Sequence, residues 1–179
     1  MPVLAPRAEI LDRVVLFGGD VLACAAVRQT KRYRQHGQTS CFAHCVAVAY
    51  VSVCIARRLG AAVDERALIR GALLHDYFLY DWHKSDGGAH RLHGLFHPAR
   101  ALANALCDFD LSPVEMEIIL RHMFPVTPVP PRCLEALIVC LADKFCAVCE
   151  RLFPAFALAT ARIAEERALR RYSSSGQAR

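Results

Sequence analysis

Apolar positions recur along this chain with the 3.6-residue period of helices that bury one face, and no stretch alternates convincingly enough for a strand. Residues 8–26 form the first such stretch, with Gly18-Gly19 as its weak point. Residues 31–38 are polar and end in a turn. Thr39 or Ser40 can cap the next helix, which runs to Arg58 and stops at Gly60. Asp64 caps a third helix over residues 65–80, with Arg66 and Arg70 placed on its wet side. Residues 82–96 carry Gly87, Gly88 and Gly94 and read as a loop. Pro98 stands at the favoured first position of a helix reaching residue 107. Ser112-Pro113-Val114-Glu115 is a capped start for a helix ending near residue 123. Pro125, Pro128, Pro130 and Pro131 then forbid regular structure. Helices over residues 132–152 and 155–171 follow, before a serine-rich end that frays.

These elements predict an all-α fold, an irregular helical bundle without internal repeats. Residues 1–38 form an N-terminal helical extension and residues 39–152 the central domain. Residues 153–179 add a C-terminal helix and tail packed on the same single domain.

Composition narrows the function classes. At 179 residues, 55% hydrophobic and 22% charged, the chain can bury a substantial core and is not a disordered one. A net charge of +5 suits an anionic small molecule, nucleotides included. The basic residues fall in scattered clusters, Arg28 to Arg34 and Arg162 to Arg171, without interleaved aromatics, so nucleic acid is not the expected partner. The nine cysteines sit mostly in apolar helical runs, and the first residues carry no apolar export signal. Reduced thiols and a cytoplasmic location are therefore expected. Cys146-x-x-Cys149 lies inside a long helical run with no preceding strand, which argues against a redox motif. The longest apolar stretch, residues 41–56, is shorter than the ~20 residues of a membrane span, so a buried core helix is expected and no membrane partner.

The informative feature is polarity where polarity is expensive. His44 is the single histidine in residues 41–56, which hold no Asp, Glu, Lys or Arg. His75-Asp76 interrupts the apolar runs 71–74 and 77–80, Asp143 ends the run 136–142, and His122 follows Ile118-Ile119-Leu120. A buried carboxylate without a partner costs several kcal/mol, so it must be paired, protonated or bound to a metal. Lysine and arginine are scarce in those windows, and one shared cation would satisfy all the groups. Imidazole with carboxylate suits zinc, iron, manganese, cobalt or nickel. Taken singly, His44 or His122 reads as a hydrogen-bonded core histidine. The ordered set, each on its own buried helix, favours a divalent-metal site.

This order of His, then His-Asp, then a distant Asp resembles the HD-domain superfamily of metal-dependent phosphohydrolases. The matching residues are His44 in Cys41-Phe42-Ala43-His44, His75-Asp76 after Gly71-Ala72-Leu73-Leu74, and Asp143 in Leu141-Ala142-Asp143-Lys144. Binuclear members add two histidines in between, as His97-Pro98 and Ile119-Leu120-Arg121-His122 do here. The resemblance implies two divalent cations, with manganese, iron, cobalt, nickel, magnesium and zinc not distinguished. His44, His75 and Asp143 would hold one, and His97 and His122 the other. Asp76, the catalytic residue, would bridge them together with a water. Met123 and the segment Phe124-Pro125-Val126 depart from the HD-GYP pattern, which argues against a cyclic-di-GMP phosphodiesterase and leaves the chain closer to other bacterial HD-domain proteins. The activity implied is hydrolysis of a phosphoester of a nucleotide or other small metabolite. Lys84, Arg91 and His93 on the 82–96 loop are candidate phosphate contacts. The same ligand set would also serve a di-iron oxygenase or a nucleotide sensor without turnover.

Overall fold

The computed structural model describes residues 6–82 and 92–174, with eight α-helices and one short ribbon among them. Helix α1 (Ala8–Ala23) is followed by the short α2 (Ala25–Gln29), and the two meet at a break at Cys24, whose backbone is extended. The break is therefore not at Gly18-Gly19, the expected weak point. Gly18 instead lets α1 approach the helix that carries Leu73 closely, because a Cβ at Gly18 would collide with Leu73 Cδ1.

Residues expected to be merely polar, 31–38, contain a single 3-10 turn and strand β1 (Arg34–His36). This strand pairs antiparallel with β2 (Thr39–Ser40) across the left-handed Gly37. Two or three residues are too few for a periodicity to register. Ser40 caps α3 (Cys41–Leu59), its hydroxyl accepting from the amide of Ala43, and Gly60 ends it in the left-handed conformation that glycine adopts without a Cβ penalty. This helix is long and apolar enough to cross a membrane by length and composition, so shortness was the wrong ground for excluding a span. Its burial is what marks it as the central helix of the bundle: residues 41–50 are buried without exception.

Asp64 caps α4 (Glu65–Leu74), as expected, but this helix stops at His75 instead of continuing to residue 80. The chain is turned out of the helix by tertiary partners. Asn104 donates to the carbonyl of Tyr77, the Tyr77 hydroxyl donates to Asp108 at 2.7 Å, and Phe78 sinks against Cys41 and Cys45. Arg70 is buried, not on the wet side: its guanidinium donates to Glu115 and Asp20, which compensate its charge.

Helix α5 (His93–Asp108) begins five residues before Pro98, so His97-Pro98 lies inside the first turns instead of opening the helix. Pro98 is the sixth residue of α5, past the four whose amides have no intrahelical partner, so the helix gives up one backbone bond there. Ser112 and Glu115 form the expected capping box of α6 (Pro113–Arg121), which ends at His122. Helix α7 (Leu134–Leu152) and helix α8 (Pro154–Ser174) complete the bundle. The main apolar core runs from Ile10 on α1 through Ala168 on α8, with α8 laid against α1 and α3, and Phe78 with Cys41 and Cys45 forms a smaller cluster beside it.

Two contacts set the site. Gly71 lets α4 rest directly on Ile118 of α6, where a Cβ would stand 2.6 Å from Ile118 Cδ1. That closeness puts the two helix ends, His75 and His122, beside each other. Helices α3 and α7 likewise lie together and carry His44 and Asp143.

Candidate metal centre

Five helices bring their polar interruptions to one buried point. His44 comes from the first half of α3, His75-Asp76 from the end of α4, His97 from α5, His122 from the end of α6 and Asp143 from the middle of α7. All six are buried, and His44, His75 and His122 are fully so.

The imidazoles are fixed by what their outer nitrogens touch. Nδ1 of His75 lies 2.7 Å from the carbonyl of Ala72, and Nδ1 of His122 lies 2.8 Å from that of Ile119. Nδ1 of His44 lies 3.0 Å from Glu150 Oε1. A carbonyl or carboxylate can only accept, so each Nδ1 carries a proton and each Nε2 points inward, with a lone pair to offer a cation once its own proton is displaced. This is the arrangement that metal-binding histidines adopt.

The centre of the cluster is Asp76, whose two oxygens face different neighbours. Oδ2 lies 3.4 Å from His75 Nε2 and 3.9 Å from His44 Nε2. Oδ1 lies 3.1 Å from His97 Nε2 and 3.6 Å from His122 Nε2. Asp143 Oδ1 stands 3.0 Å from His44 Nε2 and 3.8 Å from His75 Nε2. The Nε2 atoms of His97 and His122 approach to 2.8 Å. His122 has its proton on Nδ1, so this contact needs a proton or a cation on the His97 side.

Fit to a cation follows from these atoms. His75 Nε2 and Asp76 Oδ1 are buried without a well-directed hydrogen bond, although Cys45 stands by the first and His97 by the second, and such groups are costly to leave so. Two overlapping groups have ligand atoms close enough to share an ion: His44, His75 and Asp143, and His75, Asp76 and His122. The donors are imidazole nitrogen and carboxylate oxygen with no thiolate, a set suited to divalent transition metals and less to a closed structural zinc.

Without a cation, protons take over this role. Burial pushes His44 down, but Asp143 and Glu150 outweigh it and hold its pKa well above the ordinary histidine value. Burial likewise lowers His75, and Asp76, Cys45 and Asp143 together more than reverse this, to about 9. Burial, then the charges of His75 and His97, push His122 down to about 3, so it is neutral at neutral pH. Burial raises Asp76, but His75, His97 and His122 hold it well below the usual carboxylate range. The imidazoles of His44 and His75 are thus held cationic beside the carboxylates of Asp76, Asp143 and Glu150. A divalent cation would replace those protons.

Sequence reasoning missed three residues of this site. Glu150 orients His44; it stands seven residues after Asp143, two helical turns on, and that spacing was the available signal. Gln35 Nε2 donates to Asp76 Oδ2, and the ring of His36 meets that of His44 edge-on with centroids 5.1 Å apart. Both sit on β1, which no pattern announced. Lys84 and Arg91 lie outside the described residues, as does the side chain of His93. Beside the cluster is a cavity of about 400 Å³. Asp76, His97, His122 and Asp143 line it on one side, and Trp82, Met123 and Val126 are among its other walls.

Comparison with known proteins gives one match: the HD domain family model covers residues 41–148. No curated protein and no solved structure matches the chain. The matched stretch exceeds half the chain and contains His44, His75-Asp76, His97, His122 and Asp143. With five of its eight described helices converging on a His/Asp cluster able to hold metal ions, the chain belongs to the HD domain family of metal-dependent hydrolases.

Proposed function

We propose that the chain is a metal-dependent phosphohydrolase acting on a phosphoester of a nucleotide or another small phosphorylated metabolite. The observation that carries this reading is the division of Asp76, with one oxygen toward His44 and His75 and the other toward His97 and His122. In this reading His44, His75 and Asp143 would hold one divalent cation and His97 and His122 a second, with Asp76 offering a carboxylate oxygen toward each pair of histidines. Bound cations supply Lewis acidity toward a phosphoryl oxygen and a water of lowered pKa.

The chain's own residues supply the rest. Glu150, Ala72 and Ile119 keep the protons of His44, His75 and His122 on Nδ1, so that Nε2 faces inward. Gln35 holds the Asp76 carboxylate in place. The adjacent cavity falls in the volume range of small-molecule sites, about 300–1,000 Å³, and its wall of Trp82, Met123 and Val126 suits an organic group attached to the phosphate. Trp82 and Gly94 both line that cavity, so the segment joining them starts and ends there. Lys84, Arg91 and His93 are proposed to contact the phosphate. Nine free thiols and mild positive charge support a reducing, cytoplasmic setting and an anionic substrate rather than nucleic acid.

The test is elemental analysis of the purified protein followed by a panel of phosphomonoesters, phosphodiesters and nucleotides with manganese and cobalt. Phosphate release that His75→Ala abolishes supports the reading. Iron as the bound metal, with an optical band that changes under air and no phosphate release, would replace it with an oxygenase. Tight nucleotide binding without turnover would replace it with a sensor.

A further inference from the structure

Helix α7 turns one face to the metal cluster and a second face to solvent. On the second face Leu134, Leu137, Leu141, Phe145, Val148 and Leu152 are each 42–67% exposed. Their spacings of three and four residues place them in one straight stripe about 27 Å long, at 1.5 Å of rise per residue. Together they leave roughly 600 Å² of apolar surface, at the top of the range for the largest patch on a typical monomer and close to the ~800 Å² per partner of a standard interface.

The segments outside the described residues do not have the chemistry to cover it. Residues 83–91 read His-Lys-Ser-Asp-Gly-Gly-Ala-His-Arg and residues 175–179 read Ser-Gly-Gln-Ala-Arg. Residues 1–5 reach at most about 18 Å fully extended, less than the stripe's length.

The order of the stripe identifies its complement. Leu134 and Leu152 are equally distant from position 143, nine residues on either side. Leu141 and Phe145 are each two residues away, and Leu137 and Val148 are six and five away. The stripe therefore reads nearly the same in both directions. A two-fold axis pairs residue i of one helix with residue j of its copy and j with i, and apolar residues at matching distances on either side of position 143 let the stripe meet itself in that way. We infer that the chain forms a two-fold dimer through α7, with Leu141 of one chain against Phe145 of the second copy, Leu137 against Val148, and Leu134 against Leu152.

Sedimentation equilibrium of the full chain tests this. The expected mass is twice the 19.9 kDa of one chain. Leu141→Lys and Phe145→Glu, both at exposed positions, are each expected to sediment as monomers with unchanged circular dichroism. An equimolar mixture of the two is expected to recover the dimer, because Lys at position 141 then faces Glu at position 145. A wild-type monomer throughout the micromolar range would overturn the inference, whether or not it floats with phosphatidylglycerol vesicles. So would a dimer that survives either substitution, or two monomeric variants that do not pair when mixed.

Discussion

Glu150 accepts a 3.0 Å hydrogen bond from Nδ1 of His44, although the two residues are 106 positions apart. The carboxylate is buried together with the imidazole, and both of its oxygens lie within hydrogen-bonding reach of the same nitrogen. It fixes the tautomer of His44 and makes the inward Nε2 a better donor. Loss of such an outer partner typically weakens metal affinity about 10–100-fold. Glu150→Ala is expected to do so while the protein stays folded, and Glu150→Gln, whose amide oxygen can still accept, is expected to lose less. Competition with a chelating dye measures both. Equal affinities in wild type and Glu150→Ala would remove Glu150 from the site.

His97 and His122 face one oxygen of Asp76, while His44 and His75 face the other. The double substitution His97→Ala/His122→Ala is therefore expected to leave about one metal per chain where the wild type is expected to hold two. His75→Ala and Asp76→Ala, which touch the centre of the cluster, are expected to lose both metal and turnover. Elemental analysis under saturating metal reads these stoichiometries. One metal in the wild type would leave the mononuclear form of the site.

Lys84→Ala or Arg91→Ala is expected to lower kcat/KM at matched metal loading. A lost charge-assisted contact costs about 1.5–3 kcal/mol, or roughly ten- to a hundredfold in rate where the transition state feels it. Unchanged kcat/KM in both variants would show that these side chains face water.

Gly71 lies where α4 and α6 touch, and a Cβ there would meet three atoms of Ile118 within 2.9 Å. Gly71→Ala should improve helix propensity by up to ~1 kcal/mol, yet overpacking of a filled core typically costs about 1–3 kcal/mol. The net expectation is a lower Tm together with weaker metal binding, since the same contact aligns His75 with His122. The variant Gly71→Ala/Ile118→Val, which removes a methyl from the clash, is expected to recover part of both. A Tm at or above wild type for the single variant would show that the helices separate at little cost.

Glu165 on α8 accepts from Arg28 at 2.9 Å and from Lys31, tying the last helix to the segment before β1. Burial raises its pKa, but the contacts with Lys31 and Arg28 outweigh this and lower it from the ordinary 4.5. A carboxylate whose pKa is lower in the folded state adds stability above its unfolded pKa. That stability is lost as pH falls through the folded value. Glu165→Gln is expected to cost up to about 1 kcal/mol at neutral pH, as a partly exposed ion pair does. The difference from wild type should shrink as pH drops below about 4.5. A constant difference in Tm between pH 7 and pH 4 would rule out the ionic contribution.

Most helices were legible because burying one face of a helix forces apolar residues into a 3.6-residue period that the chain itself displays. The ends of α3, α4 and α6 at their N-termini were legible too, because Ser40, Asp64 and Ser112 cap their own backbone within three residues. His44, His75-Asp76, His122 and Asp143 stood out for the same local reason, as polar groups in apolar runs. Other features depend on contacts between residues far apart. The early end of α4 is set by Asn104, Asp108 and the pocket around Phe78. Arg70 is buried because Glu115 and Asp20 reach it from other helices. The ribbon that delivers Gln35 and His36 is too short to leave a pattern. Sequence order marked the candidate ligands; the division of Asp76 between two pairs of histidines, and the role of Glu150, depend on how five helices converge, since only packing decides which oxygen faces which nitrogen.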